Sequence, residues 1–265
     1  MLRHMRSMVS RVGRLAAMSN VFAVANQKGG VAKTTTVHAL GTALSSLGDR
    51  VLLVDLDPQA CLTYSMGVDP DALERSIHDC FVRGVAAADV LTKAGDLVLL
   101  PASIDLAGSE LFLLGRTGRE FALRDVLAPI KDGYDFVLID CAPSLGVLTI
   151  AALTAADAVL IPMQCEALSE RGVRQLIETI DDVRRYTNPN LRVAGIIATM
   201  FDGRTVSARR VLDEVAVKTG LTVLDPPVRR SVRFAEAPAT GRSLVDHAPK
   251  HPGAEAYRRL AEQLR

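Results

Sequence analysis

The chain has 265 residues, 49% of them hydrophobic but only 4% aromatic and none of them Trp, so a single large α/β core must be built from Ala, Val, Leu and Ile. Its formal net charge of +1 excludes a polycation, and any nucleic-acid surface has to be a local patch. Cys61, Cys80, Cys141 and Cys165 show no CxxC spacing and read as reduced cytosolic thiols, and no apolar run reaches the roughly 18 residues of a membrane span.

Residues 1–17 form a separate segment. They carry Arg3, Arg6, Arg11 and Arg14 and no acid, with Leu2, Met5, Val9, Val12 and Ala16 at helical spacing. One reading is a basic amphipathic helix for a membrane or for DNA. The preferred reading is a disordered leader or an overlong translation start, because Met18 restarts the chain just before the first strand. The domain proper is then 18–265.

The first apolar run, 21–26, leads into Lys28-Gly29-Gly30-Val31-Ala32-Lys33-Thr34-Thr35 and a helical pattern over 34–47. A strand, a glycine loop, and a Lys and hydroxyl opening a helix are what phosphate binding needs. Backbone N–H groups approach the phosphates, and the helix N-terminus adds its dipole. Lys33 is placed for the β- and γ-phosphates and Thr34 for Mg²⁺. The general G-x-x-x-x-G-K-[ST] expression is not met, because Gln27 and Ala32 hold its glycine positions. The deviant form K-G-G-x-G-K-[ST] is met apart from Ala32, and its second lysine is Lys28. If position 32 needs a positive φ, Ala costs ~1 kcal/mol there.

The second run, 51–55, ends in Asp55-Leu56-Asp57-Pro58-Gln59. Two carboxylates two residues apart at a strand's carboxyl end suit a Mg²⁺ shell and an oriented water. A third run covers 97–101. The fourth, 136–140, ends in Asp140, the pattern of an apolar strand whose terminal carboxylate holds Mg²⁺ through water. Runs 159–163 and 193–199 follow, and helical patterns over 145–155, 170–185 and 207–219 separate them. Continuous apolar runs alternating with helices give the rhythm of a doubly wound, mainly parallel sheet with helices on both faces. Ligands of such a sheet sit at the carboxyl ends of the strands, where these motifs fall.

Between Thr199 and Ser243 there are eight basic and five acidic residues. Arginine clusters suit phosphate backbones, and without interleaved aromatics neither base readout nor a single-strand platform is expected. A solvated helix face is the rival reading of the same residues. At the C-terminus Tyr257, Leu260, Ala261 and Leu264 make a narrow stripe that should pack on the domain.

The loop resembles that of the ParA/MinD (Soj-like) deviant Walker A ATPases, and the resemblance runs from about residue 21 to the end. It implies a P-loop NTPase fold and an ATPase using ATP and Mg²⁺, with slow turnover. It places Lys28, Gly29, Gly30, Val31, Ala32, Lys33, Thr34 and Thr35 around the nucleotide, with Lys28 crossing a homodimer interface to the other subunit's nucleotide. The D-x-D-P-Q run makes Asp57 the residue that orients the attacking water and Asp55 a support for Mg²⁺. Thr34 and Asp140 complete the metal shell. The segment from Thr199 to Thr205 resembles T-M-x-D-x-R-T, which brings Asp202 to the nucleotide and favours ATP. In Soj-like proteins the arginines matching Arg204 and Arg233 carry nonspecific duplex DNA binding, and a ParB-like partner stimulates hydrolysis. The implied place is the cytoplasm, on the nucleoid. MinD's lysine-rich amphipathic tail has no match here. The alternatives are a membrane-associated positioning ATPase and a nucleotide-dependent scaffold without turnover.

Overall fold

The computed structural model describes residues 20–166 and 169–265, the side chains of Val206 and Ser207 excepted. The basic segment 1–17 therefore lies outside the described residues. Each apolar run becomes a strand: β1 (Asn20–Val24), β2 (Val51–Leu56), β4 (Leu97–Leu100), β5 (Phe136–Cys141), β6 (Ala158–Gln164) and β7 (Arg192–Thr199). Two short edge strands complete the sheet, β3 (Thr92–Ala94) and β8 (Val223–Leu224). The order is β3-β4-β2-β5-β1-β6-β7-β8, with β3 antiparallel to β4 and every other pairing parallel.

The strands are continuous in sequence because both faces are covered. Val21 and Ala23 of β1 pack into one apolar cluster, while Phe22 and Val24 point into the other. The helices covering them are α1 (Lys33–Ser46), α2 (Cys61–Ser65), α3 (Ile77–Arg83), α4 (Leu106–Leu114), α5 (Ala122–Leu127), α6 (Val147–Ala155), α7 (Ser169–Tyr186), α8 (Val206–Thr219), α9 (Arg233–Glu236), α10 (Leu244–His247) and α11 (Pro252–Leu264).

The C-terminal stripe packs inward as expected. Tyr257, Leu260 and Ala261 are buried in the cluster that also holds α1, and the Tyr257 hydroxyl lies 3.0 Å from Thr36 Oγ1. The last helix thus braces the helix that follows the phosphate loop. Among the described residues no helix is long and apolar enough to cross a membrane. Strand β1 lies between β5 and β6, and the crevice at its carboxyl end is where the chain's order reverses.

Candidate active site

The segment between β1 and α1 is a loop whose backbone is bent for anion contact. Gly30 has φ 73° and Ala32 has φ 67°. Ala32 is also the N-cap of α1, and it supplies no side-chain hydrogen bond to the helix start. The first N–H groups of α1 are thus left for an external acceptor, which suits a phosphate. The left-handed position that the sequence raised as a condition is present, so Ala32 carries the ~1 kcal/mol strain of a Cβ in that region. Ala60 and Met200 are the other described non-glycine residues with positive φ. All three follow carboxyl ends of sheet strands around one crevice, the pattern of strain held at a functional site.

That crevice is a cavity of about 810 Å³ lined by Gly29, Gly30, Ala32, Lys33, Thr34 and Thr35 on one side and Asp57 on another. Val31 does not line it. Its side chain is buried, and its carbonyl accepts a hydrogen bond from Thr199 Oγ1 at 3.0 Å, which ties the loop to the end of β7. Lys33 is buried, and its ammonium donates to the Lys28 carbonyl at 3.3 Å. Burial pushes its pKa below the usual lysine value, and the charge of Asp140 opposes that shift.

The carboxylates divide into different tasks. Asp140, next to last in β5, is fully buried, and neither of its oxygens has a hydrogen-bond partner. Burial first, and the charge of Asp55 second, hold its pKa well above the carboxylate range; the nearby Thr34 hydroxyl and Lys33 ammonium pull the other way. A buried carboxylate with orphaned oxygens beside a threonine hydroxyl fits a hydrated divalent cation. Among the described residues no group of three or more His, Cys, Asp or Glu could hold a metal alone. Mg²⁺ keeps waters and takes phosphate oxygens beside one or two protein ligands.

Asp55, expected to support Mg²⁺, is hydrogen-bonded to the segment that follows it. Its Oδ2 accepts from the Thr63 backbone N–H at 2.8 Å and the Thr63 hydroxyl at 2.7 Å, and its Oδ1 accepts from the Asp57 N–H at 3.2 Å. Its oxygens are thus committed to fixing the loop that carries Asp57. Burial pushes its pKa up to about 6, against the Thr63 hydrogen bonds. Asp57 itself is half-buried at the cavity wall, and its Oδ1 accepts from the Gln59 N–H at 2.9 Å. Thr63 lies eight residues from Asp55, a spacing that no motif marks.

Lys28, Asp202, Arg204 and Arg233 stand outside the main cavity. The Lys28 side chain turns away from its own phosphate site and pairs with Glu166 at 2.6 Å. Asp202 lines an adjacent cavity of about 820 Å³, where Arg204 holds its carboxyl down to about 2. Arg204 is largely exposed and bound to Asp202 at 3.0 Å, while Arg233 on α9 is bound to Glu236 at 2.8 Å. Arg209, Arg229 and Arg230 line that second cavity too, and no carboxylate of the described residues reaches ion-pair distance of them. The sequence singled out Arg204 and Arg233, and the unpaired arginines are neighbours it ranked no higher than the rest.

Substitution of the orphaned carboxylate gives a direct test of this division. Asp140→Asn should stabilise the nucleotide-free protein by about 1 kcal/mol, or roughly 2–4 °C in Tm, because a buried charge is removed. The folded-state pKa of Asp140 is raised above the unfolded value. Its cost is therefore full above the folded pKa, declines as pH falls through it, and vanishes only below the unfolded pKa. In thermal melts the gain should shrink as pH falls from above the raised folded-state pKa towards the unfolded one. Mg²⁺-dependent nucleotide affinity should fall at the same time.

Comparison with known proteins agrees with this geometry. Residues 19–193 match the AAA domain family AAA_31. The sporulation initiation inhibitor protein Soj of Bacillus subtilis is 40% identical over 249 residues, covering 93% of this chain and 98% of Soj. The chromosome partitioning protein ParA of Caulobacter vibrioides is 41% identical over 248 residues, covering 92% of this chain and 93% of ParA. A crystal structure of cobyrinic acid a,c-diamide synthase from Mycobacterium smegmatis, with bound ADP and magnesium, superposes with a TM-score of 0.84 at 49% identity. It covers 93% of this chain and 94% of that one. On its phosphate loop, its sheet order and these relatives, the chain belongs to the ParA/MinD family of deviant Walker A P-loop ATPases.

Proposed function

We propose that the protein is a partitioning ATPase that dimerises around ATP, binds duplex DNA without sequence preference as that dimer, and hydrolyses ATP slowly until a ParB-like partner stimulates it. The observation that carries the reading is the meeting of Lys33, the uncapped start of α1 and Asp57 around one cavity, with the orphaned Asp140 buried behind Lys33 and Thr34. Mg²⁺ and ATP are the cofactors this set fits, and the Mycobacterium smegmatis protein holds ADP or an ATP analogue with magnesium.

The residues then have separable roles. Backbone N–H groups of Gly29 to Thr35 cradle the phosphates, and Lys33 neutralises them. Thr34 and Asp140 would hold Mg²⁺, which when bound neutralises charge on the transferring phosphoryl group. Asp57, on a loop fixed through Asp55 and Thr63, positions the attacking water. Lys28 reaches the partner protomer's nucleotide, and Asp202 borders the base. A cytoplasmic, nucleoid-bound location follows from the DNA reading.

Arg204 and Arg233 are exposed and paired only with neighbouring acids, and such solvent-screened surface pairs open readily. Both are thus available to phosphates. DNA affinity should require ATP, ignore sequence, and fall with salt at a log–log slope of roughly −3 to −4 for two arginines from each protomer. Arg233→Glu should flatten that slope and weaken every duplex alike, leaving DNA-free ATP turnover intact. Fluorescence anisotropy across a salt series decides it; wild-type DNA binding by the variant would return the cluster to an ordinary solvated face. An amide synthase, as the Mycobacterium smegmatis protein is named, would instead turn ATP over only with an acceptor and a nitrogen donor present.

A further inference from the structure

Lys28 has a partner in its own protomer. Its ammonium lies 2.6 Å from Glu166 Oε2, across 138 residues of sequence. Both ends of this pair are held by their backbones. The Lys28 N–H donates to Asn26 Oδ1 at 3.0 Å, and the same Asn26 amide donates to the Pro162 carbonyl of β6 at 2.8 Å. The loop's start is thus stapled to the strand that carries Glu166 just beyond its end. There the Glu166 N–H donates to the Gln164 carbonyl at 2.9 Å. The Gln164 side-chain amide donates to Glu166 Oε1 at 2.6 Å, so the second carboxylate oxygen is occupied too. The Ser169 hydroxyl donates to the Gln164 carbonyl, which closes the turn into α7.

We infer that Glu166 is a latch that holds Lys28 within its own protomer and sets the threshold for ATP-driven dimerisation. The inference rests on the reading that Lys28 serves the partner's nucleotide. A lysine tied to Glu166 is not free to cross, so each protomer must release its pair before the sandwich closes. Two independently positioned backbones make the pair geometrically defined, while its partial exposure keeps it weak enough to open. Lys28 is thereby withheld from its own phosphate cavity, which it does not line.

Glu166→Gln keeps the size and one of the two acceptor oxygens but removes the charge. An exposed pair of this kind shifts an equilibrium by about two- to fivefold. Closing the dimer releases two of them, so the ATP-dependent dimer dissociation constant should fall roughly fourfold to 25-fold. The gain should shrink at high salt, which screens a partly exposed pair. Sedimentation velocity with ATP, over protein concentration, measures the constant for wild type, Glu166→Gln, Lys28→Ala and the double variant. The latch predicts tighter dimers in Glu166→Gln and no further effect of that change once Lys28 is Ala. A gain that persists in the double variant would mean plain relief of interface repulsion and would overturn the latch. An unchanged constant in Glu166→Gln, with weaker dimers in Lys28→Ala, would overturn the latch and keep the crossing lysine. Wild-type dimers in Lys28→Ala would remove the underlying reading itself.

Discussion

Lys33→Ala is expected to weaken nucleotide binding by at least about 100-fold, since charge-assisted hydrogen bonds to two phosphates are each worth about 1.5–3 kcal/mol. In the free protein the Lys33 ammonium is buried with one backbone carbonyl 3.3 Å away, and burial already lowers its pKa. That is an under-satisfied cation waiting for an anion at the start of an uncapped helix. Removing it should leave the empty fold at least as stable as before, because a partly unsatisfied buried charge disappears. Titration with a fluorescent ATP analogue, beside a thermal melt without nucleotide, separates lost binding from lost folding. A folded variant with near wild-type affinity would mean the phosphates sit elsewhere.

The second large effect belongs to Asp57. Asp57→Ala should still bind ATP, yet hydrolyse it roughly 100-fold or more slowly, the usual penalty for losing a positioned group at the attacking water. Its carboxylate stands at the cavity wall with Oδ1 accepting from the Gln59 N–H, while Oδ2 has no hydrogen-bond partner among the described residues. Asp57→Asn keeps that turn contact and removes the charge. Both variants should be slow if the carboxylate acts on water; only the Ala variant should be slow if the turn alone matters. Phosphate release under single-turnover conditions reports this, and hydrolysis within about tenfold of wild type in both would take the role away from Asp57.

Much of this was legible in the sequence where a local pattern had one physical meaning. The apolar runs were long enough to be strands covered on both faces, and the Lys33-Thr34 pair at a helix start fixed the phosphate loop. Strands β3 and β8 escaped because three and two residues carry no periodicity. The spacing of Asp55 and Asp57 marked a site but not its division of labour. That division depends on Thr63, which takes both remaining contacts of Asp55 through the fold. Glu166 was invisible for the same reason, since only the parallel pairing of β1 with β6 brings it to Lys28. Ala32 shows the opposite case. The motif itself raised the left-handed conformation, and the backbone has it at φ 67°.

ATP is expected to join two protomers into one dimer. Light scattering of Asp57→Ala with saturating ATP measures it most directly, because the variant should hold nucleotide without spending it. The variant should show twice the protomer mass with ATP, a single protomer with ADP, and a loss of the dimer when Lys28→Ala is added. A single protomer mass with ATP bound, at concentrations well above any specific interface's dissociation constant, would contradict it.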